Sequence, residues 1–267
     1  MARAPASLCD RIVVITGASS GIGAATARAF AAAGAQVVLA ARGADELHRV
    51  AAALPGQPLA VPTDVAEAEA VRELVRRAVE RHGRIDVVVN NAGVGLTAPV
   101  AALDPAHLQQ SLAVNLLGPL HMVQAALPHM RPEPGRMRPH IIQVSSVVAL
   151  RSLPYQSGYA GAKAALERVS EALRVELRDR DIAVTVVRPG TTETPFRERR
   201  LGGGSDSRRF VPRGVPAERV ADVIVRAALR QPRVAYTRLA DRLVVWGSLL
   251  APGLADRLLG RMVTWRG

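Results

Sequence analysis

Short apolar runs alternate along this chain with longer stretches in which apolar residues recur every three or four positions. The runs Ile12–Ile15, Gln36–Ala40, Leu59–Val61, Ile85–Val89, His140–Val144 and Ala183–Val187 predict strands. The stretches near 22–33, 44–53, 66–82, 105–130, 159–179 and 216–229 predict helices. Strands this apolar must be covered on both faces, and a helix after each strand supplies that cover. The pattern therefore predicts an α/β fold, a doubly wound parallel sheet joined by right-handed crossovers. No Ser/Pro linker, composition shift or internal repeat divides residues 1–267, so a single domain is expected.

The tail breaks the alternation. Leu239, Leu243, Val244, Val245, Trp246, Leu249 and Leu250 precede Pro252-Gly253, and Leu254, Leu258, Leu259, Met262 and Val263 follow it. Arginines and aspartates interrupt both halves, so neither reaches the ~18 unbroken apolar residues of a membrane span. Two short amphipathic helices around a Pro-Gly break are predicted over 238–267. They either pack over a pocket or a partner subunit, or lie on a membrane surface with arginines at the headgroups.

Composition adds three points. Hydrophobic residues make up 49% of the chain but aromatics only 3%, so Ala, Val and Leu must build the core. The net charge of +12 comes from arginines spread along the chain, such as Arg72, Arg76 and Arg77. Without a concentrated stripe and interleaved aromatics, it does not point to nucleic acid. A denser group, Arg197, Arg199, Arg200, Arg208, Arg209 and Arg213, surrounds the glycine run 202–204 and reads as a loop. It is either a solvated face or an attractor of an anionic substrate, cofactor or membrane. Cys9 is the only cysteine, which excludes an intramolecular disulfide and fits a reducing compartment. Residues 12–15 are too short for a signal-peptide core, and a cytoplasmic protein is expected. The six histidines are scattered without metal-ligand spacing, so no metal is predicted.

The first predicted strand runs into Thr16-Gly17-Ala18-Ser19-Ser20-Gly21-Ile22-Gly23 and then an alanine-rich helix. Gly17 permits a tight turn, Gly21 lets backbone approach a pyrophosphate, and Gly23 lets helix and strand pack closely. The helix start offers free N–H groups to phosphate. An NAD site usually ends its second strand with a carboxylate for the ribose 2′-hydroxyl. Here the strand ends Leu39-Ala40-Ala41-Arg42, and Arg42, with Ser19 or Ser20, suits a 2′-phosphate. NADP is preferred to NAD.

Of the thirty-five basic residues only Lys163 is a lysine, four residues after Tyr159. At i,i+4 the two share one helix face. A free tyrosine, with a pKa near ~10, is a poor base at neutral pH, and a nearby ammonium favours its phenolate. Tyr159 can then exchange a proton with a hydroxyl or carbonyl oxygen. Ser146 follows the fifth strand at the carboxyl edge of the sheet, where its hydroxyl can donate to a substrate oxygen.

Thr16–Gly23, Asn90-Asn91-Ala92-Gly93, Asn115, Ser145-Ser146, Tyr159-x-x-x-Lys163 and Pro189-Gly190 stand in this order along the chain. Their order and spacing resemble the motif series of the short-chain dehydrogenase/reductase family over about residues 9–195. The resemblance implies a Rossmann fold and a catalytic tetrad of Asn115, Ser146, Tyr159 and Lys163. Asn115 would support a water relay, and Lys163 would also hold the nicotinamide ribose. Gly17, Ser19, Ser20, Gly21, Ile22, Gly23, Arg42, Asp64, Val65, Asn91, Ala92, Gly93, Tyr159, Lys163, Pro189, Gly190, Thr192 and Thr194 would contact the cofactor. Asp64-Val65 would meet the adenine and Pro189-Gly190 with Thr192 and Thr194 the carboxamide. One departure is Gly161-Ala162, where alanine and serine are common.

The resemblance further implies a cofactor and catalytic core over 9–195, a mobile substrate loop over 196–215, and a homodimer or homotetramer. The expected activity is interconversion of a carbonyl and an alcohol, with the apolar tail hinting at a lipophilic substrate. A non-enzymatic dinucleotide-binding sensor and a membrane-surface relative are the alternatives.

Overall fold

A computed structural model describes residues 7–202, 205–208 and 213–266. Strand β1 (Ile12–Thr16), helix α1 (Gly21–Ala32), β2 (Gln36–Ala41), α2 (Ala44–Ala52), β3 (Leu59–Pro62) and α3 (Ala68–His82) form the first half. The second half runs through β4 (Val87–Asn90), α4 (Pro105–Leu112), α5 (Gly118–Ala126), β5 (His140–Val144), α6 (Ser157–Glu176) and β6 (Ala183–Arg188). There follow β7 (Thr192–Glu193), β8 (Ser205–Arg208), β9 (Val215–Pro216), α7 (Ala217–Arg230) and β10 (Val234–Tyr236). The tail is α8 (Leu239–Leu250), α9 (Pro252–Met262) and β11 (Val263–Arg266).

Seven strands make one parallel sheet in the order β10-β6-β5-β4-β1-β2-β3. The two-residue alternation of a strand sorts its side chains onto two faces. Val13, Ile15, Val37, Leu39, Val87, Val89, Ile142 and Val144 face α1, α2 and α7. Val14, Val38, Val88 and Ile141 face α3, α5 and α6. The doubly wound α/β fold read from the sequence is thus present. The chain leaves β3 at one edge and returns to β4 beside β1, which makes the carboxyl ends of β1 and β4 the switch point where ligands bind.

Three features differ from the expectation. Strand β4 begins at Val87, not Ile85, because the Asp86 carboxylate turns inward to accept from the Ile12 N–H at 2.8 Å and from Arg11 at 3.0 Å. The predicted helix over 105–130 is broken into α4, a π-helical segment at Ala113–Leu117, α5 and a 3-10 turn at Leu127–His129. Pro119 has no N–H to give the carbonyl of Asn115 four residues back, so the ladder widens there. The seventh strand, β10, lies beyond the last predicted strand.

The tail forms the two helices expected around Pro252, bent by 114°. No single helix among the described residues is long and apolar enough to cross a membrane. In the expected substrate loop, β8 pairs antiparallel with β11, and β7 pairs with β9. Residues 203–204 and 209–212, with Arg209, lie outside the described residues.

Candidate active site

The site begins where β1 ends. The Thr16 hydroxyl accepts from the N–H groups of Asn91 and Ala92 at 3.1 and 3.0 Å and donates to the Val89 carbonyl. Asn91 Nδ2 donates to the carbonyl oxygens of Thr16 and Gly17 at 2.9 and 3.2 Å. These bonds stitch the ends of β1 and β4 together across the switch point. Gly17 has φ +65° and Gly21 φ +52°, which a side chain would strain. A Cβ on Gly17 would stand 2.8 Å from Cα of Ala92, and one on Gly23 only 2.1 Å from the Gly17 carbonyl oxygen.

Ser20 caps α1 with extended backbone, and its side chain makes no capping bond. The first turn of α1 therefore presents free N–H groups at the sheet edge. Ser19 and Ser20 are half-buried there, and Ile22 packs into the core below them. Thr194 faces the same loop, its Cγ2 3.0 Å from where a Gly21 Cβ would be. These are the features of a dinucleotide cradle: a backbone left open by glycine, under free amide donors.

The remaining candidate cofactor residues line the same edge. Arg42 follows the last residue of β2, exposed and with no hydrogen-bond or ion-pair partner among the described residues. Asp64 accepts from the Ala66 N–H at 3.0 Å, and Val65 is buried against Gly118, where a Cβ would meet it at 2.8 Å. Thr192 donates to the Gly190 carbonyl at 3.2 Å. Gly190 also makes room for the tail, because a Cβ there would lie 2.5 Å from Oδ2 of Asp241 on α8.

Ser146, Tyr159 and Lys163 converge at the end of β5. Ser146 caps a 3-10 turn at Val147–Ala149 with extended backbone, and Tyr159 and Lys163 lie one turn apart on α6. Lys163 is 3% exposed and donates to the Val144 carbonyl at 2.9 Å. Burial pushes its pKa down to about 8, while Glu167 one turn further on acts to raise it. The packing around Tyr159 pushes its phenol up to about 12, against a hydrogen bond with Ser146 that lowers it. The phenol thus keeps its proton at neutral pH, where the sequence led us to expect the ammonium to favour a phenolate, because burial outweighs that effect. The Phe196 ring leans on Tyr159, centroids 5.6 Å apart and planes at 59°.

Asn115 stands apart from this trio. Its Oδ1 accepts from the Val94 N–H at 3.2 Å, and its Nδ2 donates to the carbonyls of Val94 and Ser111 at 2.8 and 2.9 Å. Gly93 lies between it and the lysine. A Cβ on Gly93 would be 2.9 Å from Asn115 Oδ1 and 3.7 Å from Lys163 Nζ. Asn115 braces the loop that lines the site.

The sequence reading passed over Glu167, Arg188 and Phe196. Glu167 and Arg188 are 21 residues apart and form a buried ion pair, Nη2 to Oε2 2.6 Å. Only the i,i+4 distance from Lys163 to Glu167 was available as a signal.

The model of the short chain dehydrogenase family matches residues 11–202. The chain belongs to the short-chain dehydrogenase/reductase family. It is an NAD(P)-dependent oxidoreductase with that family's Rossmann fold. It is similar to dehydrogenase/reductase SDR family member 7B of Bos taurus, 31% identical over 265 residues, 94% of this chain and 80% of the relative. A solved alcohol dehydrogenase from Thermococcus sibiricus, complexed with 5-hydroxy-NADP, superimposes with a TM-score of 0.72 at 30% identity. That match covers 85% of this chain and 94% of the dehydrogenase. A 3-ketoacyl-(acyl-carrier-protein) reductase from Brucella melitensis, complexed with NADH, gives 0.78 at 28% identity over 86% of this chain and 97% of its own. In this short-chain dehydrogenase/reductase the tail packs beside Ser146: α8 lies against the Val147–Ala149 turn, and Arg151 pairs with Asp256 of α9.

Proposed function

We propose that this protein is an NADP-dependent carbonyl reductase of a lipophilic substrate, running in reverse as an alcohol dehydrogenase. The observation that carries this reading is the convergence of a protonated Tyr159, the Ser146 hydroxyl and the buried Lys163 ammonium at one strand end. When bound, the dinucleotide supplies or accepts the hydride. Ser146 donates to the substrate oxygen and orients it. In reduction Tyr159 gives its hydroxyl proton to that oxygen, and in oxidation the phenolate takes it back. Lys163 stabilises the phenolate by its charge and would donate to the nicotinamide ribose hydroxyls when the dinucleotide is bound. Asn115 supports this arrangement by holding the Gly93–Val94 loop.

Arg42 supports NADP over NAD. It follows β2 with no ion-pair or hydrogen-bond partner among the described residues, a fit to the 2′-phosphate together with Ser19 or Ser20. Gly17, Ser20, Gly21, Ile22 and Gly23 would cradle the pyrophosphate, and Asp64 with Val65 the adenine. Asn91, Ala92 and Gly93 would line the adenosine ribose, and Pro189, Gly190, Thr192 and Thr194 the carboxamide. A cell that keeps NADP reduced would drive the reaction toward the alcohol. Phe196 over Tyr159 and the apolar tail beside Ser146 favour a lipophilic substrate.

The partners follow the same reasoning. A homodimer or homotetramer through the α4–α5 and α6 helices would cover Leu117 and Val175, which are 43% and 72% exposed. A second reading for the tail has its own observation. Leu243, Val244, Trp246, Leu250, Leu254 and Leu258 are all exposed on α8 and α9. The aspartates of the two helices are taken up by Arg238 and Arg151, while Arg242, Arg257 and Arg261 are exposed. An apolar face flanked by arginines that have no acidic partner among the described residues repels a second copy of itself and matches an anionic lipid surface. The protein would then be cytoplasmic and peripheral to a membrane.

The deciding experiment titrates the purified chain with NADPH and NADH by nicotinamide fluorescence, then screens ketones and aldehydes for NADPH oxidation. Tighter binding of NADPH and turnover of apolar carbonyls is the expected result. Binding of neither nucleotide would return the protein to the sensor class, and preference for NADH would turn the search to alcohol oxidation.

A further inference from the structure

Glu167 is 1% exposed, one turn beyond Lys163 on α6, and the proton transfer above makes no use of it. Its Oε1 accepts from Ser145 Oγ at 2.8 Å and from Arg188 Nε at 2.9 Å, and its Oε2 from Arg188 Nη2 at 2.6 Å. Arg188 Nη1 donates to the Tyr236 hydroxyl of β10 at 2.7 Å, and the guanidinium carbon lies 5.4 Å from that ring's centroid. One carboxylate therefore joins three elements. It belongs to α6, which carries Tyr159 and Lys163. It holds the residue before Ser146, and it holds the residue before Pro189-Gly190.

Backbone bonds show why this junction is tight. The Ser145 N–H donates to the Val187 carbonyl at 2.8 Å and the Val147 N–H to the Pro189 carbonyl at 3.1 Å, so Ser146 is pinned to the end of β6 from both sides. On the α6 side, the Lys163 ammonium donates to the Val144 carbonyl at 2.9 Å and Arg174 Nε to the Val184 carbonyl at 3.1 Å. Each is a single bond from a long, flexible side chain, and with the apolar contacts around it, which have little direction, it leaves the helix able to roll by fractions of an ångström. An arginine fork on a carboxylate has direction, since its donors are planar and fixed. A buried pair of this kind gains little stability over an apolar pair of similar volume. Its geometry is what an apolar pair lacks.

We infer that Glu167 is a positioning residue for hydride-transfer chemistry: it sets Tyr159 and Lys163 in register with Ser146 through Ser145, and with the Pro189-Gly190 turn through Arg188. The inference rests on the reading that assigns proton transfer to Tyr159 and Ser146. The carboxylate has a second effect in the same direction, because it favours the charged form of Lys163.

The test uses two variants of the full chain. Glu167→Met with Arg188→Met removes the pair without stranding a buried charge, and Ser145→Ala cuts only the link to the serine. Melting temperature, NADPH affinity, and kcat and KM for a carbonyl reduced by the wild type are measured. Expected are melting temperatures within a few degrees of wild type and KM within about threefold. The kcat falls by about tenfold or more in the double variant and by about threefold or more in Ser145→Ala, as misplaced reacting groups lose rate without losing binding. Wild-type kcat in both variants, or kcat falling only with the folded fraction, overturns the inference while leaving the function intact. A rise in KM at unchanged kcat does the same. A wild type that binds neither nicotinamide nucleotide overturns the functional reading and this inference with it.

Discussion

The Lys163 ammonium donates to the carbonyl oxygen of Val144 at 2.9 Å, which ties the middle of α6 to the end of β5 two residues before Ser146. Burial holds this lysine near pKa 8, against an ordinary value of 10.5. Between those two values the unfolded chain binds more protons than the folded one, so stability rises with pH across that window. Relative to Lys163→Met, the wild type is expected to gain roughly 2 to 3 kcal/mol on going from pH 7.5 to 10.5. Calorimetric melts of both proteins across that range check it. A stability gap independent of pH would show that the ammonium is not held in a desolvated site.

Burial holds the Tyr159 phenol up to about 12, against a hydrogen bond with Ser146 that lowers it. Tyr159→Phe keeps the ring against Phe196 and removes the proton. The variant is expected to lose about 10²- to 10⁴-fold in kcat while binding NADPH within a few-fold of wild type. Stopped-flow turnover with a reduced carbonyl, set beside fluorescence titration, separates the two quantities. Retained turnover would assign the proton to another group.

Arg42 faces solvent at the end of β2, so its removal leaves the fold alone. Losing hydrogen bonds between charged groups costs roughly 1.5–3 kcal/mol. Arg42→Ala should therefore weaken NADPH by about 10- to 100-fold and leave NADH unchanged. Equal losses for both nucleotides would place Arg42 away from the 2′-phosphate.

Two glycines should respond oppositely to one methyl group. Gly23→Ala drives a Cβ to within 2.1 Å of the Gly17 carbonyl oxygen and 2.6 Å of Asn91 Nδ2, so the cradle must open. Loss of dinucleotide binding is expected, with a lower melting temperature. Gly161→Ala, in the middle of α6, meets nothing within 4 Å. It should stabilise the fold by about 0.5–1 kcal/mol through helix propensity alone. Denaturant unfolding and NADPH titration of both variants read the contrast.

Vesicles test the tail. Wild-type protein should float with anionic phospholipid vesicles and not with neutral ones, and Leu243→Ser with Leu250→Ser and Leu254→Ser should abolish flotation. Raised salt should weaken binding without removing the leucine dependence. If the triple variant floats unchanged, or changes only the oligomeric state on a sizing column, the face belongs to a partner subunit.

Much of the candidate site was legible in the chain because it is local. The glycines of residues 17–23 announce a tight strand-to-helix turn by their spacing alone, and Tyr159 and Lys163 share a face because a helix puts i and i+4 together. His140–Val144 was readable as a strand to the residue, since it is buried on both faces. Strand β10 was not: its three residues are only half-buried, and they are a strand because β6 offers them a free edge. The π-helical step at Asn115 was likewise hidden, because a proline four residues downstream disturbs the ladder without marking which carbonyl is affected.

By itself, then, the sequence determined the alternation, the dinucleotide cradle, the tyrosine–lysine pair and the family they resemble, all of which depend on contacts within a few residues. Tertiary structure decided what required distant residues to meet. It put Glu167 between Ser145 and Arg188, Phe196 over Tyr159, and Asp241 of the tail against Gly190. It also decided which side chains of α8 and α9 remain exposed. The physical reason is that a glutamate in a helical pattern reads as solvated until an arginine from another strand is placed beside it. An apolar stripe likewise reads as core until the folded chain leaves it uncovered.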